Sequence, residues 1–178
     1  VVLGAFINNK YNNILEVGTG TGILALMMAQ KNDTATIFAI EPHLASFNEA
    51  KFNFDNSKFS TRLSIENCML QEFKTDKKFD LILSNFGGLN CLSNEQLSDF
   101  IKESSGMLSP KGKLILIIMP KNCLWERFYF FLKGNYKKAK RRNTSKSIIV
   151  NVDGTNVKTW YYNPKDIVSL TETLYKTK

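Results

Sequence analysis

Three glycines at alternate positions, Gly18, Gly20 and Gly22, follow directly on an apolar run, Ile14-Leu15-Glu16-Val17, and precede an apolar, helix-prone stretch from Ile23 to Gln30. That order folds as a buried strand, a sharp turn and a helix. A reversal this tight needs positive φ, which glycine adopts at little cost, and a glycine also lets a ligand approach the backbone. The turn falls at the carboxyl end of a strand, where open parallel sheets take up small molecules. The spacing is G-x-G-x-G. The third glycine of the dinucleotide fingerprint would fall at Ile23, which disfavours a pyrophosphate cofactor. Glu41 closes the next apolar run, Thr36 to Ile40, at about the 20-residue distance from which a carboxylate accepts hydrogen bonds from ribose hydroxyls. Turn and carboxylate together point to a nucleoside.

Two more blocks follow in order: Phe79-Asp80-Leu81-Ile82-Leu83-Ser84-Asn85, and Leu108-Ser109-Pro110-Lys111-Gly112-Lys113 ahead of another apolar run. With Glu16 to Gly22 and Glu41 they resemble the class I S-adenosylmethionine-dependent methyltransferases, over roughly residues 14 to 119. The likeness is to the small-molecule type, similar to methyltransferase types 11 and 12. It implies an α/β fold, a Rossmann-like three-layer sandwich with a mainly parallel sheet in the order 3-2-1-4-5. It also implies an enzyme with S-adenosyl-L-methionine as cofactor and no metal, moving a methyl group by in-line displacement.

Carried over residue by residue, the resemblance implies cofactor contacts at Glu16, Gly18, Thr19, Gly20, Gly22, Glu41, Pro42, Asn67, Cys68, Asn85 and Phe86. Pro42 holds Glu41 in an extended conformation. Asn67 stands where the family often has aspartate, and its carbonyl can still face an adenine amino group. Glu16 is expected near the methionine amino group, or as a cap on backbone amides of the glycine turn; the two are compatible. Asn85 and Asn90 are the candidates for orienting the acceptor, although an amide cannot take a proton. No general base stands out, since His43, the only histidine, is remote from the fourth-strand loop. Cys68 and Cys91 read as small buried hydrophobes.

The loop Asn85-Phe86-Gly87-Gly88 bears on the acceptor. Base- and amide-methylating members of the family often have Asn/Asp-Pro-Pro-aromatic there, and here Phe86-Gly87-Gly88 replaces the last three. That departure argues for a small-molecule or lipid-like acceptor, an anionic or membrane-associated one included, and against nucleic acid. Two alternatives stand beside it: an RNA methyltransferase, and a cofactor-binding module without turnover. The RNA reading has its own support in charge. The chain carries a net +8, and seven cations with no acid lie between Lys133 and Lys146 (Lys133, Lys137, Lys138, Lys140, Arg141, Arg142, Lys146). Without that run the chain is nearly neutral, so the basicity is local.

The 178 residues, 43% hydrophobic, suffice for one core and predict a single domain. No apolar run is long enough to span a bilayer. Three scattered cysteines indicate neither a disulfide framework nor a zinc site, and a cytoplasmic setting is expected. The start is abrupt against the resemblance, so a domain truncated at both ends is expected. Val1 to Asn9 reads as a helix end and Lys113 to Met119 as the fifth strand. Residues 120–162 are expected to form a substrate-side cover. Within them, Asn122 to Leu132 carries an aromatic stripe at helical spacing (Leu124, Trp125, Phe128, Tyr129, Phe131, Leu132), read either as a helix packed on the sheet or as the wall or lid of an apolar acceptor pocket. Ser147 to Val152 and Val157 to Tyr162 flank the hairpin signal Asp153-Gly154-Thr155-Asn156. The hairpin is either an insertion or the terminal antiparallel pair, and a helix follows from Pro164.

Overall fold

The computed structural model describes residues 11–152, 154–172, 174 and 175. The helix end expected at 1–9 and Asp153 of the hairpin turn lie outside them. The chain divides into two compact units, one of Val1–Asn85 and Glu103–Leu116, the other of Phe86–Lys102 and Ile117–Lys178. Among the described residues no helix is long and apolar enough to cross a membrane.

The first unit is built on a five-stranded parallel sheet. Its strands are β1 (Asn13–Val17), β2 (Thr36–Ile40), β3 (Leu63–Glu66), β4 (Phe79–Ser84) and β5 (Leu108–Leu116), in the order β3-β2-β1-β4-β5. The order is the expected one. Helix α1 (Ile23–Lys31) and helix α2 (Leu44–Asp55) connect the first three strands. Leu24, Ala25, Met28 and Ala29 of α1 and Phe54 of α2 join Ile14, Ile37, Ala39, Leu81 and Leu83 of the strands in one buried cluster. Successive residues on β1 face opposite ways, so Glu16 shares the Ile14 face, which α1 covers. Arg62 closes the far end of α1. Its guanidinium donates to the carbonyl of Ala29 (2.9 Å) in the last helical turn, which a helix end leaves unpaired, and to those of Asn32 and Ala35 (both 2.8 Å) in the turn that follows.

Strand β5 departs from expectation in its limits: it begins at Leu108 and ends at Leu116. Leu108 pairs with Phe79 but Lys113 pairs with Leu81, so residues 109–112 loop out as a bulge. The predicted turn is therefore present inside the strand. Asp80 braces it: its carboxylate accepts from the Ser109 hydroxyl (2.6 Å) and from the Asn12 and Asn13 N–H groups (2.9 and 3.1 Å). The Ser109 hydrogen bond is the main reason that carboxyl titrates below its ordinary value.

In the second unit, β6 (Ile148–Val152) and β7 (Thr155–Thr159) pair antiparallel as a separate two-stranded sheet. The hairpin is thus not an edge pair of the main sheet. Thr155 and Asn156, expected in the turn, belong to β7. Helix α3 (Asn94–Met107) spans residues of both units. Helices α4 (Leu124–Leu132), α5 (Tyr136–Ala139) and α6 (Pro164–Thr171) complete the second unit. The last opens with a capping box between Asn163 and Asp166. Helix α4 buries none of its side chains, so it is not the core helix that its aromatic stripe allowed.

Two glycines of the turn do different jobs. Gly22 (φ +78°) is buried, and a Cβ there would lie 2.5 Å from Phe54 Cε1 and 3.2 Å from the Ala50 Cβ. Gly20 (φ +61°) would project a Cβ into open space. Gly22→Ala therefore carries both backbone strain and overpacking, about 2–5 kcal/mol, while Gly20→Ala carries only the backbone cost of about 1–2 kcal/mol. Thermal unfolding checks this: Gly22→Ala lowers the midpoint clearly more than Gly20→Ala, and the reverse order would contradict the packing.

Candidate functional site

The register of the sheet sets the geometry of the candidate site. Val17 pairs with Ile40 and with Ser84, and Ile40 pairs with Glu66, so four strands end level. The residue just past each end is Gly18, Glu41, Asn67 and Asn85. Four of the sequence candidates from four strands thus stand in one row at the carboxyl edge, in the order Asn67, Glu41, Gly18, Asn85, across about 14 Å of sheet.

The glycine turn is held by backbone hydrogen bonds. The Gly18 and Thr19 N–H groups donate to the Ile40 carbonyl (2.9 and 3.2 Å), and the Gly22 N–H donates to the Thr19 carbonyl (3.1 Å). Asn53 of α2 donates from Nδ2 to the Thr21 carbonyl (2.9 Å). Sequence reasoning missed Asn53, because nothing in a helix pattern marks one polar side chain as a tie to a distant loop.

Glu41 is buried, and both its oxygens accept from backbone: Oε2 from the Gly20 N–H (2.8 Å), Oε1 from the His43 N–H (2.9 Å). A carboxylate has about four acceptor positions, so two remain for hydroxyl donors. Pro42 lies exposed between Glu41 and His43, and the exposed His43 ring meets the Ser46 hydroxyl (3.0 Å) at the start of α2. Asn67 donates from Nδ2 to the carbonyls of Glu41 (2.7 Å) and Pro42 (3.1 Å). Both partners are acceptors, which assigns the amide orientation and leaves its carbonyl as the group for a ligand. Cys68 is half-buried, and burial, then the neighbouring Glu66 charge, pushes its thiol up to about 11. Cys91 is exposed, not the buried hydrophobe expected.

Glu16 is 2% exposed. Its Oε2 accepts from the Thr19 hydroxyl (2.8 Å), and it also takes a backbone hydrogen bond from Ala25, in the first turn of α1. The N-cap position itself is Gly22, which has no side chain, so Glu16 caps the helix from the strand before it. Burial pushes its pKa up to about 7 against those hydrogen bonds, and the Glu41 charge adds to the rise.

Asn85 is buried, and its Nδ2 has no partner among the described residues. A buried amide donor without a partner costs free energy unless something outside the chain satisfies it. This orphan donor, the remaining acceptor positions of Glu41 and the open space at the Gly20 Cβ all fit a polar ligand lying along the row.

The loop after Asn85 has a backbone that proline could not adopt: Phe86 has φ +54° and Gly87 φ +73°. The Phe86 side chain is 88% exposed. Asn90 is fully buried and its side chain is committed to backbone. Oδ1 accepts from the Met119 N–H (2.8 Å), and Nδ2 donates to the carbonyls of Met119 (3.2 Å) and Trp160. It brackets two chain segments, a duty its place in the sequence did not reveal. Of the two asparagines expected to orient the acceptor, Asn90 has its amide committed to backbone, and Asn85 keeps an N–H without a partner among the described residues.

The family profile described as the methyltransferase small domain matches residues 1–146. Two relatives are named tRNA1(Val) (adenine(37)-N6)-methyltransferase. The one from Flavobacteriaceae bacterium (strain 3519-10) is 48% identical over 86 residues, covering 48% of this chain and 37% of the relative. The one from Christiangramia forsetii is 33% identical over 138 residues, covering 66% and 58%. The chain therefore spans about a third to three-fifths of the length of these relatives. Among solved structures, an S-adenosylmethionine-dependent methyltransferase from Methanosarcina mazei superposes with a TM-score of 0.71 at 16% identity, covering 97% of this chain and 82% of that one. One from Clostridium acetobutylicum gives 0.67 at 16%, covering 96% and 75%. At that identity they speak for the fold.

These findings agree with the expected family, and S-adenosylmethionine is the cofactor of such a domain. They overturn the expected partner: the argument from the loop against nucleic acid fails, because relatives this similar are tRNA methyltransferases by name.

The Glu16 value makes a prediction about stability. The folded protein holds this proton at pH values where the unfolded chain, at about 4.5, has lost it. The group's contribution is most favourable below about pH 4.5 and is lost as pH rises toward 7, by roughly 3 kcal/mol in all, with no further loss above that. Urea unfolding of the wild type and Glu16→Gln from pH 5 to 8 checks it. The wild type loses stability relative to the variant as pH rises, and a pH-independent difference would exclude a raised pKa.

Proposed function

Since the chain belongs to the methyltransferase small domain family, we propose that it methylates tRNA, at the exocyclic amino group of an adenine, with S-adenosylmethionine as donor. The single observation that carries the proposal is the buried, partnerless Nδ2 of Asn85 at the end of β4. An asparagine amide presents a donor and an acceptor side by side, the complement of an adenine edge, where an amino group lies next to a ring nitrogen. The names of the relatives supply the substrate class, and the basic run from Lys133 to Lys146 supplies positive charge for phosphates.

When bound, the donor supplies a methyl group already activated on a sulfonium. The residues of the chain bind and align. Glu41 would accept from the ribose hydroxyls, and the Asn67 carbonyl would face the adenine amino group of the cofactor. Gly20 leaves room for a ligand beside the backbone. Glu16, once ionised, would receive the methionine ammonium. Asn85 would hold the acceptor amine beside the donor's methyl group. No side chain need remove the amine proton before attack, because the nitrogen loses it after the C–N bond has formed. Positioning of this kind can supply several kcal/mol of the barrier, up to about 7–11 in ideal cases. A tRNA substrate places the work in the cytoplasm.

Two outcomes are expected. The full chain, given an unmodified tRNA transcript and methyl-labelled cofactor, yields N6-methyladenosine on nucleoside digestion. Asn85→Ala cuts kcat about 100-fold or more while cofactor affinity stays within a few-fold. Label that enters only small molecules, or a variant as active as the wild type, would end the proposal. Below pH 7, calorimetry in buffers of different ionisation enthalpy shows cofactor binding releasing a proton, because the ammonium favours ionised Glu16; no release would remove Glu16 from that contact.

A further inference from the structure

Residues 124–146 of the second unit join an aromatic helix to a basic one. Helix α4 carries Trp125, Phe128, Tyr129 and Leu132 at i, i+3, i+4 and i+7, one face of a helix. All are at least half exposed, Trp125 at 80%. The Trp125 and Phe128 rings lie near-parallel, 6.2 Å apart at 30°.

A nine-residue helix with no fully buried side chain is held only weakly by hydrophobic packing. Other devices hold it. At its end the Gly134 N–H donates to the Phe131 carbonyl (2.9 Å) and the Asn135 N–H to the Phe130 carbonyl (2.8 Å), with Gly134 at φ +66°, a Schellman turn. Asn135 then caps α5, so the basic segment begins at once beside the aromatic one. Glu126 pins its far part: it accepts from Arg141 Nε (2.9 Å) and from Arg142, whose guanidinium also lies 4.7 Å from the Tyr161 ring centre. Two of the seven cations are thereby spent on structure. Lys133, Lys137, Lys138, Lys140 and Lys146 remain exposed. Lys133 stands 4.7 Å from the Tyr129 ring centre and Lys138 5.9 Å from that of Phe130.

We propose that this face of α4, with the lysines of the turn and of α5, is a stacking platform for unpaired nucleotides of the RNA, an inference that rests on the tRNA reading above. Exposed flat rings beside ammonium groups match a strand in which bases and phosphates alternate, and stacking tolerates any base. Charge complementarity selects a polyanion. Among polyanions, the tRNA in the names of the relatives favours RNA over an anionic lipid surface.

The test uses the full chain, a fluorescein-labelled unstructured RNA 12-mer and an unmodified tRNA transcript. Trp125→Ala with Phe128→Ala weakens 12-mer binding by about tenfold or more and raises KM for tRNA, with the salt slope unchanged. Lys137→Glu with Lys138→Glu lowers that slope by roughly one to two. Trp125→Phe with Phe128→Tyr keeps near-wild-type affinity. All variants bind S-adenosylhomocysteine as the wild type does, which shows them folded. The platform is overturned if the double alanine variant binds the 12-mer and methylates tRNA like the wild type. It is equally overturned if the rings matter only for sedimentation with phosphatidylserine vesicles or for self-association. If the wild type neither binds nor methylates tRNA, the tRNA reading falls as well.

Discussion

The first unit depends on four parallel strands ending level. Because Val17, Ile40, Glu66 and Ser84 are matched by backbone pairing, the next residue of each chain segment arrives at the same edge without any loop having to find it. A slip of one residue in any pair would turn that strand's side chains to the other face of the sheet and break the row. The buried cluster beneath α1 and α2 resists such a slip, since Ile14, Ile37 and Leu81 would leave it. Packing energy spent on the core is thus also what aligns Glu41, Asn67 and Asn85.

Glu16 shows how one residue answers to both packing and chemistry. The glycine turn needs a residue without a side chain at Gly22, so the helix after it starts without an N-cap. A carboxylate from the preceding strand supplies the missing acceptor. The same burial that aims it at the helix raises its pKa, and a raised pKa makes the group responsive to an incoming cation. The cap is therefore compatible with the ligand contact we propose, as the sequence reading already allowed.

Much of the first unit was legible because its determinants are local. Strand, turn and helix follow from apolar period and from φ values that only glycine adopts easily, and Glu41 is tied to the turn by a fixed separation along the chain. The looped-out residues 109–112 were seen as a turn but not as a bulge inside β5, since that distinction rests on pairing with Phe79 and Leu81. Asn90 read as a free amide because its partners, Met119 and Trp160, are distant in sequence. The argument from the loop against nucleic acid fails for a different reason: the motif Phe86-Gly87-Gly88 sets the backbone of the loop, while the residue that would touch the proposed acceptor, Asn85, stands one place before it.

By itself, then, the sequence determined the strand, the glycine turn, the helix after it and a carboxylate placed for a nucleoside, because those follow from short-range backbone preferences and from spacing. The strand order and the cofactor were implied by the resemblance of its four ordered blocks to a family. Tertiary structure decided which polar groups are spent and which are left over. It spent Asn90, Arg141 and Arg142 on structure, left the Asn85 donor unpaired and left the rings of α4 in solvent. Whether a group has a partner depends on residues brought near from far along the chain, and no local pattern records them.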